Sequence, residues 1–159
     1  MQELVEVLLK LNLSISSSES FTGGLFASTI TSIPGVSSVF KGSIIAYQNN
    51  IKENVLHIDK DIILENGVIS KAVALEMARN TQKLFDSDIC VSFTGNAGPN
   101  NLESKPVGLW FLGIMYKNVY YVYEFNSKGS RDMIRKFAVR KASQIIIEII
   151  RKHSYSNVL

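Results

Sequence analysis

The sequence predicts a single three-layer α/β/α domain with a mixed β-sheet, covering residues 1–159. Apolar residues at helical spacing occur before, between and after short apolar runs that are typical of β-strands. Of the 159 residues, 46% are hydrophobic and 19% are charged. A chain of this size and composition is expected to bury one sizeable core and not to be disordered.

The N-terminal part predicts a helix, a strand and a glycine-rich turn. The first helix is expected where apolar residues recur at helical spacing, at Leu4, Val5, Leu8 and Leu9. A strand over residues 13–17 leads into the stretch SESFTGG, residues 18–24. Thr22 is the predicted N-cap of a second helix, which runs through Leu25 and Ile33 and stops at Pro34-Gly35.

The middle of the chain predicts a strand and two further helices. The strand covers residues 40–47, and Gly42 within it is a candidate bulge. A short helical segment near Asn50 carries Lys52. A longer helix is expected to begin after the cap residue Ser70 and to run to Phe85.

The C-terminal part predicts three strands and one helix. A strand over residues 89–93 ends in a helix-hostile loop, residues 94–99. Two more strands are expected over residues 107–116 and 119–125. The last helix starts near Ser130, and the polar tail of residues 153–159 is expected to be frayed.

Composition and charge exclude several classes of function. The net charge is only +3, and acidic residues interrupt the basic ones near the C-terminus, so no nucleic-acid partner is expected. The uncharged stretch 21–40 contains too much Ser, Thr and Gly, and also Pro34, for a membrane span. The N-terminus lacks the features of a signal peptide, and the single cysteine, Cys90, suits a reducing compartment. A cytoplasmic location is therefore expected.

Standard metal and cofactor motifs are missing from the sequence. His57 and His153 have no partners at ligand spacing, so no metal site is expected and both are interpreted as surface residues. Neither a GxxxxGK[ST] loop nor a GxGxxG turn after a strand is present, and no cofactor is expected. Cys90 lies in an apolar run and is predicted to be a buried structural thiol.

Three loops have the composition of a ligand site: residues 18–24, 34–38 and 94–99. Their small residues allow backbone N–H groups to approach a ligand, and ligands of α/β sheets bind where strand ends meet loops. Each loop alone is equally well explained as an ordinary turn. A serine that has a desolvated lysine as its base can attack an acyl group, but composition does not select which serine and which lysine.

Six short motifs occur in order along the chain. They are Glu19-Ser20-x-Thr22-Gly23-Gly24, Pro34-Gly35-x-Ser37, Tyr47-x-Asn49-x-x-Lys52, Gly67-Val68-Ile69-Ser70, Thr94-Gly95-x-Ala97-Gly98-Pro99 and Lys105-Pro106-Val107-Gly108. Together they resemble the C-terminal domain of CinA and its stand-alone relatives, from the first strand to the last helix. The resemblance implies a nicotinamide-nucleotide amidase, which converts nicotinamide mononucleotide into nicotinate mononucleotide and ammonia.

The resemblance also implies roles for residues of this chain. Ser37 matches the catalytic serine of the family and Lys52 its lysine, as a Ser-Lys dyad, with Ser20 and Tyr47 supporting them. The nucleotide substrate is expected to contact a further set: Thr22, Gly23, Gly24, Thr94, Gly95 and Arg131. Arg131 suits the phosphate by its charge and its predicted place at the start of a helix. A homo-oligomer is expected as well.

Two other functions compete with the amidase. One is a non-catalytic nucleotide-binding or regulatory domain of the competence and DNA-damage type, and the other, more distant, is a nucleic-acid-binding module. Four positions depart from the family pattern, where Cys, Ser, Gly and Ile are usual: Phe21, Val36, Ser43 and Asn96. Phe21 is bulky beside the predicted site and Asn96 adds an amide to the third loop, so these two positions bear on substrate fit and rate.

Overall fold

The computed structural model of the chain describes residues 1–156. Six α-helices and five strands follow one another: α1 Gln2–Leu11, β1 Ile15–Glu19, α2 Leu25–Thr31, β2 Phe40–Ile45, α3 Asn49–Asn54, α4 Lys60–Asn66, α5 Lys71–Phe85, β3 Ile89–Gly95, β4 Leu109–Tyr116, β5 Val119–Asn126 and α6 Arg131–Ser156. A 3-10 turn, Val36–Ser38, precedes β2.

The strands form one mixed sheet in the order β2-β1-β3-β4-β5. β1 pairs in parallel with β2 and β3, whereas β4 pairs antiparallel with both β3 and β5. The β1–β2 register shifts between Ile15 and Ser16, which pair with Phe40 and Gly42 and skip Lys41. The predicted irregularity at Gly42 is therefore confirmed, and its positive φ of 149° is one that glycine adopts readily.

Helices cover both faces of the sheet and make three layers. One apolar core joins α1, α2 and α6 to a sheet face that includes Ile15, Val91 and Trp110. A second core joins α3, α4 and α5 to the opposite face, which carries Phe111. Cys90 packs on the α5 side and is fully buried, and burial raises the pKa of its thiol to about 12. The predicted structural role of Cys90 is therefore confirmed.

Several predicted boundaries are right and others are wrong. The Ser70 hydroxyl caps α5 by accepting a hydrogen bond from the Val73 N–H at 3.2 Å, as predicted. Thr22 does not cap α2, because the N-cap residue is Gly24 in a left-handed conformation. β1 extends to Glu19 and β3 to Gly95, so two residues expected in loops, Glu19 and Gly95, are strand residues.

Two further differences concern helices. α4 is missing from the prediction, since it has only seven residues and Ile63 is its one buried side chain. α6 continues through Ser156, so the expected frayed tail is helical that far, and residues 157–159 lie outside the described part. No helix within residues 1–156 is long and apolar enough to cross a membrane.

Candidate active site

The parallel strands bring three chain segments together at one edge of the sheet. β1, β2 and β3 all end at this edge, and the segments that follow them begin at Ser20, Ala46 and Asn96. Because β4 runs antiparallel and β5 returns beside it, α6 also begins at this edge with Arg131. A ligand is expected at such an edge of an α/β sheet.

Glu19 organises the turn between β1 and α2. Its carboxylate is fully buried and accepts hydrogen bonds from the N–H groups of Gly24, Phe26 and Ala27 at 3.1, 3.0 and 2.9 Å. These are donors at the positive end of α2, where a carboxylate is stabilising. The N-terminus of α2 is therefore already occupied by a negative charge of the protein itself.

Gly23 and Gly24 consequently do not offer free N–H groups to a substrate. The Gly24 N–H donates to Glu19, and the Gly23 N–H donates to the Ser20 carbonyl at 3.0 Å. Both glycines have positive φ angles, 57° and 89°, so their place in the turn is conformational. Both N–H groups are engaged within the turn, which corrects the expectation that they are available to bind a substrate.

Thr22 faces the last helix. Its side chain is fully buried, and its hydroxyl has no hydrogen-bond partner within the described residues. Its carbonyl accepts a hydrogen bond from Arg135 Nη2 at 2.7 Å. Arg135 is absent from the sequence-based site, although its position one helical turn after Arg131 is a signal that places the two on one face of α6.

Lys52 is the buried charge of the site, with 1% of its surface exposed. Helix α3 directs its ammonium towards the end of β1, where Nζ donates to Ser20 Oγ at 3.2 Å. Nζ also donates to the carbonyls of Ala46 and Tyr47 at 2.8 and 3.5 Å. Burial lowers the pKa of Lys52 from 10.5 to about 8, and the negative charge of Glu103 partly opposes that effect.

Ser37 lies at the other edge of the sheet. It belongs to the 3-10 turn just before β2 and is exposed. Lys52 and its partners Ala46 and Tyr47 follow the far end of the same strand. A strand of this length spans roughly 16 Å at about 3.3 Å per residue. The structure does not bring Ser37 and Lys52 together within one chain, so the predicted pairing is corrected: the serine beside Lys52 is Ser20.

Tyr47 and Arg131 meet at the mouth of the site. Arg131 Nη2 donates to Tyr47 Oη at 2.8 Å, and Arg131 Nη1 donates to the Gly98 carbonyl at 2.6 Å. The guanidinium thus joins the segment after β2 to the loop after β3. Both side chains are exposed, so a ligand that enters from solvent meets them before it reaches Lys52.

Thr94 and Gly95, at the end of β3, contact neighbouring parts of the scaffold. Thr94 is buried, and its hydroxyl donates to the Val68 carbonyl at 2.6 Å. Gly95 passes so close to the next strand that a Cβ there would lie 2.3 Å from Trp110 Cβ. These contacts give both residues a structural role, and their predicted substrate contacts stay a prediction.

The amino-acid sequence of this chain is similar to those of one known protein family. The sequence model of the CinA C-terminal domain family matches residues 1–150. The chain belongs to the CinA C-terminal domain family. A protein of Bacillus thuringiensis (strain Al Hakam) that is named competence-damage inducible protein is 43% identical over 133 residues. These residues are 83% of this chain and 32% of that protein. A second relative of the same name, from Bacillus velezensis, is 39% identical over 94% of this chain and 36% of its own length.

Solved CinA structures share the fold. The competence/damage inducible protein CihA from Agrobacterium tumefaciens is 31% identical, with a TM-score of 0.86 over 92% of this chain and 93% of that one. A CinA superfamily protein from Escherichia coli has a TM-score of 0.90 over 93% of this chain and 87% of its own. Its sequence is only 23% identical, so this similarity supports the fold and not a shared function. This CinA domain spans about a third of the length of the curated relatives it matches.

Three of the four positions that depart from the CinA pattern have side chains that contact groups other than Lys52. Phe21 is 5% exposed and packs its ring 6.0 Å from that of Trp110, in the core. The Asn96 amide accepts from the Gly98 N–H and donates to the Asn100 carbonyl, which fastens the loop after β3. Ser43 accepts a hydrogen bond from Ser17 at 2.8 Å. These three side chains are therefore part of the scaffold in this CinA domain.

Proposed function

We propose that this CinA domain hydrolyses the carboxamide of nicotinamide mononucleotide to nicotinate mononucleotide and ammonia. The observation that carries the proposal is the contact between a half-buried serine hydroxyl, Ser20 Oγ, and the ammonium of a fully buried lysine, Lys52. Burial holds the pKa of that lysine near 8, so a substantial neutral fraction exists at neutral to mildly alkaline pH. A neutral amine beside a serine is a general base for nucleophilic attack.

The proposed reaction begins with Ser20. Its oxygen attacks the amide carbon while neutral Lys52 accepts the hydroxyl proton. The lysine then gives this proton to the departing nitrogen, which leaves as ammonia, and an ester between Ser20 and the nicotinate remains. Lys52 next takes a proton from water as the water attacks the ester, and returns that proton to Ser20 as the acid leaves. In this proposal Ser20 replaces Ser37 as the nucleophile, because the geometry pairs Ser20 with the base.

Backbone groups next to Ser20 are suited to stabilise the oxyanion. The N–H groups of Phe21 and Thr22 follow the nucleophile directly, and neither makes a hydrogen bond to another group in the part of the chain that the structure describes. The buried Thr22 hydroxyl is also unpaired among those residues. A donor aimed at a developing oxyanion contributes about 2.7–4 kcal/mol in enzymes where it has been measured.

Two arginines are suited to the phosphate of the nucleotide. Arg131 and Arg135 lie one turn apart at the start of α6, and their hydrogen bonds go to neutral acceptors: Gly98, Tyr47 and Thr22. Neither guanidinium forms an ion pair with a carboxylate among the described residues. Their charges and the positive end of the long helix favour a bound dianion.

Ammonia release from nicotinamide mononucleotide tests the proposal. Purified protein is incubated with the nucleotide, alongside Lys52→Ala and Ser20→Ala, and folding of each variant is checked by circular dichroism. Release by the wild type and its loss in both variants are expected. If a folded wild type releases no ammonia but its melting temperature rises with nucleotide, the domain is a nucleotide-binding module and the amidase proposal is wrong.

A further inference from the structure

Asn96 is a buried polar residue at the point where β3 ends and the following loop begins. Only 6% of its surface is exposed. Its backbone N–H donates to the Leu109 carbonyl at 2.9 Å, and its carbonyl accepts a hydrogen bond from the Gly108 N–H at 2.8 Å. Both bonds join it to the chain at the start of β4. The backbone of Asn96 is therefore fixed by the sheet, and its side chain starts from a defined position.

The side chain of Asn96 binds the loop that follows it. Oδ1 accepts a hydrogen bond from the Gly98 N–H at 2.9 Å. Nδ2 donates to the carbonyls of Asn100 and Lys105 at 2.9 and 3.5 Å. These partners define the orientation of the amide, because Gly98 offers a donor and the other two residues offer acceptors. Both polar atoms of this buried amide are therefore satisfied, which favours one conformation of the loop.

The loop has few other hydrogen bonds. Within residues 1–156, the hydrogen bonds of residues 97–100 go only to Asn96 and to Arg131. The Gly98 carbonyl lies between the two groups that the Asn96 amide binds, the Gly98 N–H and the Asn100 carbonyl. The direction of that carbonyl therefore depends on the Asn96 side chain.

The Gly98 carbonyl is one of two acceptors of the Arg131 guanidinium. Nη1 donates to this carbonyl at 2.6 Å, and Nη2 donates to Tyr47 Oη at 2.8 Å. Tyr47 is an exposed side chain, whereas Gly98 is buried, so the backbone carbonyl is the better fixed of the two acceptors. The place of the guanidinium at the mouth of the site therefore depends on the loop that Asn96 holds.

We propose that Asn96 is a positioning residue, whose amide holds the Gly98 carbonyl and through it the Arg131 guanidinium at the mouth of the site. Asn96 acts through Arg131 and does not touch the substrate. A guanidinium that is already held in place loses less conformational freedom when it binds an anion. The consequence for nucleotide affinity rests on the proposed function, whereas the positioning of Arg131 does not.

The decisive experiment measures rotation of the Arg131 guanidinium, by NMR of protein with carbon-13 and nitrogen-15 in its arginines. Rotation about the Nε–Cζ bond exchanges Nη1 with Nη2, and it is slow when acceptors hold both nitrogens. Asn96→Leu replaces the amide by an apolar group of similar size. It is expected to speed the exchange by roughly two- to tenfold, the factor that corresponds to one net hydrogen bond. Arg131→Lys assigns the signal.

Two controls separate this effect from damage to the fold. Arg135 donates to the Thr22 carbonyl and not to this loop, so its exchange is expected to stay unchanged in the same spectrum. Asn100→Ala is the matched variant, because the Asn100 side chain is exposed and only its backbone carbonyl binds Asn96. This variant is expected to leave the exchange of Arg131 at the wild-type rate.

A second variant covers the case in which Asn96→Leu does not fold. Asn96→Ser keeps a hydroxyl that accepts more weakly from an N–H two residues later, and it loses the contact with Asn100. A smaller increase in the exchange rate is therefore expected. An unchanged Arg131 exchange in the folded Asn96 variants would overturn the inference, as would a wild-type Arg131 that rotates as fast as free arginine.

The kinetic consequence is measured separately. With nicotinamide mononucleotide, Asn96→Leu is expected to raise KM by roughly two- to tenfold and to leave kcat nearly unchanged. For nicotinamide riboside, which lacks the phosphate, kcat/KM is expected to stay at the wild-type value. Equal losses with both substrates would contradict an action through Arg131. If the wild type released no ammonia, the amidase proposal would fail while the guanidinium exchange still decided this one.

Discussion

The ammonium of Lys52 lies 3.2 Å from Ser20 Oγ, although 32 residues separate the two in sequence. β1 carries Ser20 to its carboxyl end, and β2 with α3 carries Lys52 back to the same place. The lysine is buried and the serine is partly open to solvent. Parallel pairing of two strands therefore places a buried lysine beside a serine that is partly open to solvent.

This contact predicts which serine is essential. Ser20→Ala removes the proposed nucleophile and is expected to lower kcat by at least about 10³-fold, since loss of a catalytic serine costs this much or more in other hydrolases. Ser37→Ala at the opposite sheet edge is the matched control and is expected to stay within about threefold of wild type. Steady-state ammonia release measures both. The reverse ranking would restore Ser37 as the catalytic serine.

The pKa of Lys52 predicts the pH dependence of the reaction. The lysine is a base only when neutral, and burial lowers its pKa to about 8. We expect kcat/KM to rise about tenfold per pH unit below pH 8 and to level off above it. The control Lys52→Arg stays protonated at every accessible pH and is expected to be inactive throughout. A wild-type profile that is flat from pH 6 to pH 9 would contradict a lysine base.

The same pKa predicts a pH-dependent stability. Folded Lys52 releases its proton near pH 8 and the unfolded lysine near pH 10.5, so the folded state carries the full cost of a buried charge below pH 8. That cost is relieved as the pH rises from 8 to 10.5, by about 3 kcal/mol in total. Relative to Lys52→Met, the wild type should gain this much free energy of unfolding between pH 7 and pH 10.5. Urea denaturation of both proteins measures it, and an equal difference at the two pH values would refute the predicted shift.

The motifs predict which segments meet in the candidate site, but not which residues pair within it. Lys52, Tyr47 and Arg131 lie where the sequence predicts a site, because each sits at a strand or helix end that local patterns mark. The predicted pairing of Ser37 with Lys52 fails within one chain, because predicting it required the direction of β2 in the sheet. Strand direction and register arise from long-range pairing, which residue patterns along the chain do not contain.

Buried polar contacts show the same limit. The sequence suggests that Glu19 is a polar turn residue. It is a strand residue instead, and its carboxylate accepts hydrogen bonds from N–H groups at the start of α2, up to eight residues later. The sequence places Glu103 in a polar connector. In the structure its carboxylate accepts hydrogen bonds from the N–H groups of Val68 and Ile69, which lie 35 and 34 residues earlier. The role of each carboxylate depends on backbone N–H donors that come close to it only when the chain folds. Helix spacing did carry information for Arg135, since it follows Arg131 by four residues.

Glu19 is predicted to be a major source of stability. Glu19→Ala leaves three N–H groups of the α2 turn without their acceptor, and we expect a loss of about 3 kcal/mol or more in the free energy of unfolding. Glu19→Gln keeps one acceptor oxygen and should lose less. Glu65→Ala, at an exposed position of α4, is the control and should stay within about 0.5 kcal/mol of wild type. Chemical denaturation compares the three, and a Glu19→Ala variant as stable as the control would rule out this role.

The two arginines at the start of α6 are predicted to recognise the phosphate and not the amide. Arg131→Gln and Arg135→Gln should each raise KM for nicotinamide mononucleotide by about tenfold or more, because a charge-assisted contact to a dianion is lost. Nicotinamide riboside has the same amide but no phosphate, so its kcat/KM should be almost unaffected by either change. Arg140→Gln is the control, since Arg140 lies farther along the same helix and stacks on Phe137 at 5.6 Å.

This comparison separates recognition of the phosphate from damage to the fold. Arg135 also donates a hydrogen bond to the Thr22 carbonyl, so its loss removes a contact of the turn that follows Ser20 as well. A disturbed turn would lower the rate with both substrates equally, whereas loss of a phosphate contact lowers it with the nucleotide alone. Equal losses on the nucleotide and the riboside would therefore assign Arg135 to the turn. A selective loss on the nucleotide would place the phosphate at the N-terminus of α6, above the Ser20–Lys52 pair.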